Sequence, residues 1–122
     1  MKKILMILTL WLSGCIIYVD SSNSHLGAVS LTDPYVDCVY DGYYDLSRWY
    51  FEIYADSYYG PLEVEVVGFY INNQDFQLME YLGNGLWAKN ITTTWYDCDQ
   101  YYHFDFVAVD YDGYEGYNSH HW

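Results

Sequence analysis

Two stretches of this chain keep a strict two-residue period, and that period limits what it can fold into. Trp49, Phe51, Ile53 and Ala55 alternate with Tyr50, Glu52, Tyr54 and Asp56. Tyr102, Phe104, Phe106 and Ala108 alternate in the same way with His103, Asp105 and Val107. Successive side chains of a strand point to opposite faces, so each run presents one apolar and one more polar face, as a half-buried strand requires. No window keeps a helical period. Between the runs, Asp56-Ser57-Tyr58-Tyr59-Gly60-Pro61 breaks the first strand. Leu62, Val64 and Val66 then alternate with Glu63 and Glu65, and the phase slips at Val67-Gly68 before Phe69 and Ile71. That slip places a β-bulge at Gly68. Asn72-Asn73-Gln74 turns into a strand over 75–81, and Leu82-Gly83-Asn84-Gly85 turns into one over 86–92. Asp110-Tyr111-Asp112-Gly113 returns the chain into a last strand over 114–122. About seven short antiparallel strands with regular turn signals predict an all-β sandwich over 33–122.

Composition narrows the function. Among 122 residues, 17 are Tyr and 17 are acidic, against four Lys and Arg, for a net charge of −13. Phosphate backbones repel such a chain, which argues against nucleic-acid binding. The same charge argues against polybasic attachment to anionic lipid. Disorder fits the charge but not an aromatic content of 22%.

The amino terminus carries the most specific motif. Met1-Lys2-Lys3 is a short basic region, and residues 4–12 (ILMILTLWL) form an apolar run broken only by Thr9. As a helix that run spans about 14 Å, half of a bilayer's hydrocarbon core, so it reads as a secretory signal rather than a permanent span. Leu12-Ser13-Gly14-Cys15 resembles the lipobox of bacterial lipoproteins. The resemblance implies removal of residues 1–14, a diacylglyceryl group on the Cys15 thiol and acylation of the new amino terminus. Two or more acyl chains make a stable membrane anchor. Removal of the leader takes Lys2 and Lys3 with it, leaving two bases, Arg48 and Lys89, against 17 acids, a net of −15. Ile16, where sorting to the inner membrane uses Asp, implies the outer membrane by resemblance to enterobacterial sorting. Residues 15–32, with Ser21-Ser22-Asn23-Ser24 at their centre, have the composition of a tether.

Three cysteines in an exported chain leave one over. With Cys15 lipidated, Cys38 and Cys98 remain, and an oxidising compartment lets them pair. Two separate buried thiols are the alternative. The run from Tyr102 to Gly113 resembles the immunoglobulin-like superfamily, where an alternating aromatic strand ends in a D-x-x-G-type turn. The Trp49 strand, its Gly-Pro turn and the Val-rich strand resemble the B–C hairpin of that fold. The resemblance implies an immunoglobulin-like sandwich, with one departure. Antibody-type domains join strands B and F by a disulfide, whereas Cys38 falls on the first strand and Cys98 in the loop entering F.

Candidate chemistry is sparse. Asp110, Asp112 and Glu115 put three carboxylates on one tight turn, a composition that can supply oxygens to Ca²⁺. Asp-Gly is also ordinary hairpin-turn chemistry, so a solvated turn is the alternative. Asp97 and Asp99 flank Cys98 as a second acidic group. His103 falls on the outward face of its strand, and His120-His121 lies at the carboxyl end, where a transition metal could be held incidentally. Ser119 and His120 are neighbours on one strand and point apart, so they make no triad. The carboxylates are too scattered to mark a glycosidase pair. The expected function is non-catalytic.

The tyrosines carry the remaining signal. Tyr58 and Tyr59 in one turn, and Tyr111, Tyr114 and Tyr117 around another, fall at a single end of a seven-strand sandwich. Tyrosine offers large contact area at low entropic cost, so Tyr, Ser, Gly and Asp in loops on a rigid scaffold is recognition composition. The plainer alternative is that Tyr replaces Leu at half-buried positions. Two functions follow. One is an anchored, non-catalytic envelope lipoprotein that engages a glycan or an envelope protein, or serves a structural role, through Tyr/Asp-rich loops. The other is an acidic inhibitor or immunity-type lipoprotein whose charge steers a cationic hydrolase or toxin towards it.

Overall fold

A computed structural model describes residues 29–122; residues 1–28, with the expected leader, Cys15 and most of the expected tether, lie outside the described residues. The strands are β1 (Val29–Asp41), β2 (Leu46–Ser57), β3 (Val64–Ile71), β4 (Asp75–Leu78), β5 (Glu80–Gly83), β6 (Leu86–Thr93), β7 (His103–Asp110) and β8 (Glu115–His121), with a 3₁₀ turn at Pro61–Glu63. One sheet has the order β1-β2-β6-β5 and the other β4-β3-β7-β8, with every pair antiparallel. Lettered A, B, C, C′, D, E, F and G in chain order, these are the ABED and C′CFG sheets of the immunoglobulin-like sandwich.

The two alternating runs are inner strands, one in each sheet. Trp49, Phe51, Ile53 and Ala55 face Phe104, Phe106 and Ala108 across the core, and all seven are buried. The core is built on phenylalanine more than tyrosine. Phe51 and Phe69 have ring centroids 4.2 Å apart, Phe51 and Phe104 5.0 Å, and Phe69 and Phe106 5.4 Å. Such ring pairs contribute roughly 0.5–1.5 kcal/mol each beyond their buried area. Tyr102 is the buried tyrosine of the described residues. Most other tyrosines are exposed or lie at the rim of the core.

Three sequence expectations are corrected. Val29–Thr32, expected in the tether ahead of a domain starting at Asp33, already belong to β1. Val29 and Leu31 are buried and pair with Ser57 and Ala55. Asp33, at φ 54°, and Pro34 mark a register shift within β1, an irregularity that an edge strand tolerates without ending. The bulge of β3 lies between Val64 and Val66, where it flips the phase, so Leu62 is exposed and Val67, Phe69 and Ile71 point inward. Gly68 has another reason to be glycine: a Cβ there would meet Phe76 Cζ at 2.3 Å and the Gln77 carbonyl oxygen at 2.7 Å. Finally, the strand expected over 75–81 is two strands. Met79 is buried and its N–H donates to Val67 O at 2.9 Å, and there the chain passes from one sheet to the other. Among the described residues this gives eight strands instead of the expected seven or so.

The start of β1 also lies against β8. Asn118 Nδ2 donates to Leu31 O at 2.7 Å, and a Cβ on Gly116 would approach Val29 O to 2.2 Å. The first described residues are thereby packed where the edges of the two sheets meet.

Candidate functional site

Turn chemistry brings three loops together at one end, here called the tip: the β2–β3 turn with its 3₁₀ segment, the β5–β6 turn and the β7–β8 turn. Ser57 Oγ donates to Asp110 Oδ2 at 3.2 Å, and the Tyr111 N–H donates to Glu63 O at 3.0 Å. The Ala55 N–H donates to Gly85 O at 2.8 Å. Tyr58 and Tyr59 stand edge to face, with ring centroids 5.2 Å apart. The sequence expectation that Tyr58, Tyr59 and Tyr111 share one end holds, and all three are exposed. Tyr114 departs from that set, because its ring packs against the core. Tyr117 lies along β8, exposed, with its hydroxyl donating to Glu115 Oε1.

The acidic turn is a hairpin whose residues 111–113 are exposed, as the alternative to a Ca²⁺ loop expects, but its first carboxylate is not solvated. Asp110 is only 1% exposed. Its Oδ1 accepts the N–H groups of Asp112 and Tyr114, both at 2.9 Å, while Oδ2 accepts the Ser57 hydroxyl. The carboxylate therefore braces the turn from inside. Glu115 is engaged with Tyr117. Among the described residues no group of three or more His, Cys, Asp or Glu side chains converges in a way that could hold a metal ion.

The opposite end is built around the Cys38–Cys98 disulfide, with Cα atoms 5.6 Å apart. Two indoles hold the loop that carries Cys98. Trp49 Nε1 donates to Tyr96 O at 2.8 Å and Trp122 Nε1 to Cys98 O at 2.6 Å. The loop and the β1–β2 turn enclose a cleft of about 370 Å³ lined by Tyr40, Asp45, Cys98 and the flanking carboxylates Asp97 and Asp99. The Tyr40 hydroxyl donates to Asp45 Oδ1 at 2.6 Å, and that bond to a carboxylate raises the phenol's pKa. Arg48 donates to Asp41 at 3.0 Å and holds its carboxyl below the usual range. The same two segments carry Tyr43, Trp95 and Tyr101, which are 87%, 85% and 93% exposed. The sequence reading did not single out these rings. They lie in segments with no alternation to mark them, and their signal is the aromatic run on both sides of Cys98.

The three histidines of the described residues lie on β7 and β8. His103 Nε2 is 2.7 Å from Asp105 Oδ1, and the His103 and His121 rings meet edge to face across β7 and β8 at 4.4 Å. Ser119 pairs with Asp105 and His120 with Phe104, on opposite faces of β8. Compared with family models, curated proteins and solved structures, the chain matches none of them.

Proposed function

We propose that this chain is a lipid-anchored, non-catalytic binding protein of the bacterial envelope, attached through Cys15 and engaging its partner through exposed aromatic rings on the loops of a braced sandwich. One observation carries the reading. The rings of Tyr43, Tyr58, Trp95 and Tyr101 are at least 80% exposed, and they cluster at the two ends of the domain, on loops held by a disulfide, two indole hydrogen bonds and the buried Asp110. Exposed rings on a rigid frame lose little entropy when a partner covers them. A glycan or an envelope protein suits such rings.

The second reading, an acidic inhibitor or immunity-type protein, is favoured by the surface charge. Arg48 is bonded to Asp41, leaving Lys89 to face the remaining carboxylates of the described residues. Ionic strength separates the two, since charge-steered association weakens sharply with salt and ring contacts hardly respond. The test is capture of envelope components on the mature protein, using the variant pairs Tyr58→Ala/Tyr111→Ala and Trp95→Ala/Tyr101→Ala. Loss of capture in either pair, at unchanged melting temperature and insensitive to salt, supports ring-mediated binding. Capture that survives in both pairs and vanishes with salt favours the acidic inhibitor.

A further inference from the structure

Strand pairing determines which end of the sandwich is nearest its anchor. Val29, the first described residue, pairs with Ser57, so it lies one residue away from Tyr58, at the tip and not at the disulfide end. From Cys15 to Val29 there are 14 peptide units, whose covalent reach is at most about 50 Å. The 12 residues of β2 extend about 40 Å from the tip towards the disulfide end. Bringing the disulfide end to a membrane that holds Cys15 would therefore use nearly the whole contour of the connecting segment. Bringing the tip there uses almost none.

The tip is also chemically suited to that neighbour. Tyr58, Tyr59, Leu62 and Tyr111 are 80%, 59%, 74% and 64% exposed, an apolar and aromatic surface on adjoining loops. A phenol ring prefers the headgroup layer, where its body meets hydrocarbon and its hydroxyl stays wet. We propose that the tip rests on the lipid headgroup layer of the membrane that carries the chain's own anchor, with the disulfide end pointing away from it. This rests on the lipidation of Cys15. Asp56, Glu63 and Asp112 border the same loops and limit the contact to the headgroup level. They also make it weaker on anionic than on zwitterionic lipid. Rings at the tip are then covered by lipid, and those of Tyr43, Trp95 and Tyr101 are the ones offered to a partner.

The test is hydroxyl-radical footprinting of the mature lipidated chain on phosphatidylcholine vesicles. The reference is an unanchored Cys15→Ser chain exported behind a conventional secretory leader. Oxidation of Tyr58, Tyr59, Leu62 and Tyr111 is expected to fall severalfold on the vesicles, while Trp95 and Tyr101 stay as reactive as in the unanchored chain. Enriching the vesicles in phosphatidylglycerol should restore part of the labelling at the tip. A lipidated chain whose tip is labelled as in solution, or whose two ends are protected equally, overturns the proposal and leaves the anchor standing. A mature chain whose intact mass lacks the diacylglyceryl group overturns both.

Discussion

Ser57 and Asp110, 53 residues apart in sequence, are joined by a hydrogen bond of 3.2 Å that ties the end of β2 to the end of β7. The same carboxylate accepts two backbone N–H groups of its own turn. Removing it leaves two part-buried N–H donors and the buried Ser57 hydroxyl unpaired, at a cost of about 1–3 kcal/mol for a fully buried group and less for a part-buried one. Asp110→Ala is therefore expected to lower unfolding free energy by about 2–4 kcal/mol. Asp110→Asn, which keeps an oxygen where Oδ1 stands, should lose far less. Chemical denaturation of the two variants measures the difference. Because the oxygens are already engaged, millimolar Ca²⁺ should leave the melting temperature unchanged, and a rise of several degrees would show that the turn rearranges around the ion.

The disulfide closes a loop with a sequence separation of 60 residues. In the chain-entropy picture a link of that length stabilises the fold by about 4 kcal/mol. Cys38→Ala/Cys98→Ala should lose about that much in denaturant. The loop over 94–102 should also become more exposed to protease, although Trp49 and Trp122 still hold its carbonyls.

Much of the architecture was legible from two strands. β2 and β7 are inner strands of their sheets, so one face of each meets the core and the other does not, and a period of two results. The edges were harder. Val29–Thr32 reads as tether because it continues the tether composition centred on Ser21-Ser22-Asn23-Ser24, yet Val29 and Leu31 are buried and the strand lies against β8. The passage between sheets at Met79 depends on a tertiary hydrogen bond to Val67 that no local pattern records. At the candidate site, Tyr58, Tyr59 and Tyr111 were legible because turn chemistry marks their loops. Tyr43, Trp95 and Tyr101 were not, since only the fold shows that rings scattered along the sequence gather at the disulfide end.

Gly68 offers a direct check of the strand-edge packing. Phe76 lies across its Cα, and any Cβ would meet both that ring and the Gln77 carbonyl. The ring can rotate away, but the backbone of β4 cannot move without loosening its pairing to β3. Gly68→Ala is expected to cost about 1–3 kcal/mol, the range for overpacking a filled site. Adding Phe76→Ala should not restore full stability, because the Gln77 contact persists. Complete rescue by the double variant would place the whole clash in the ring.

Alkaline titration tests the polar outer faces. The Tyr50 hydroxyl donates to Glu52 Oε2 at 2.6 Å, and that bond pushes its pKa up to about 12. Tyr96, hydrogen-bonded to Asp75, is likewise pushed up to about 12. Ionising either phenol sets a phenolate against a carboxylate and loses a proton the bond needs. Because the folded values lie above the unfolded value near 10, the stabilisation is complete below pH 10 and is lost as pH rises towards 12. Absorbance at 295 nm, a phenolate band, should rise in two waves, the second carrying Tyr50 and Tyr96. In Glu52→Gln, Tyr50 should move into the first wave while Tyr96 stays in the second, because the carboxylate that holds it is Asp75. A single wave near pH 10 in the folded wild-type protein would mean that neither phenol is held by its carboxylate.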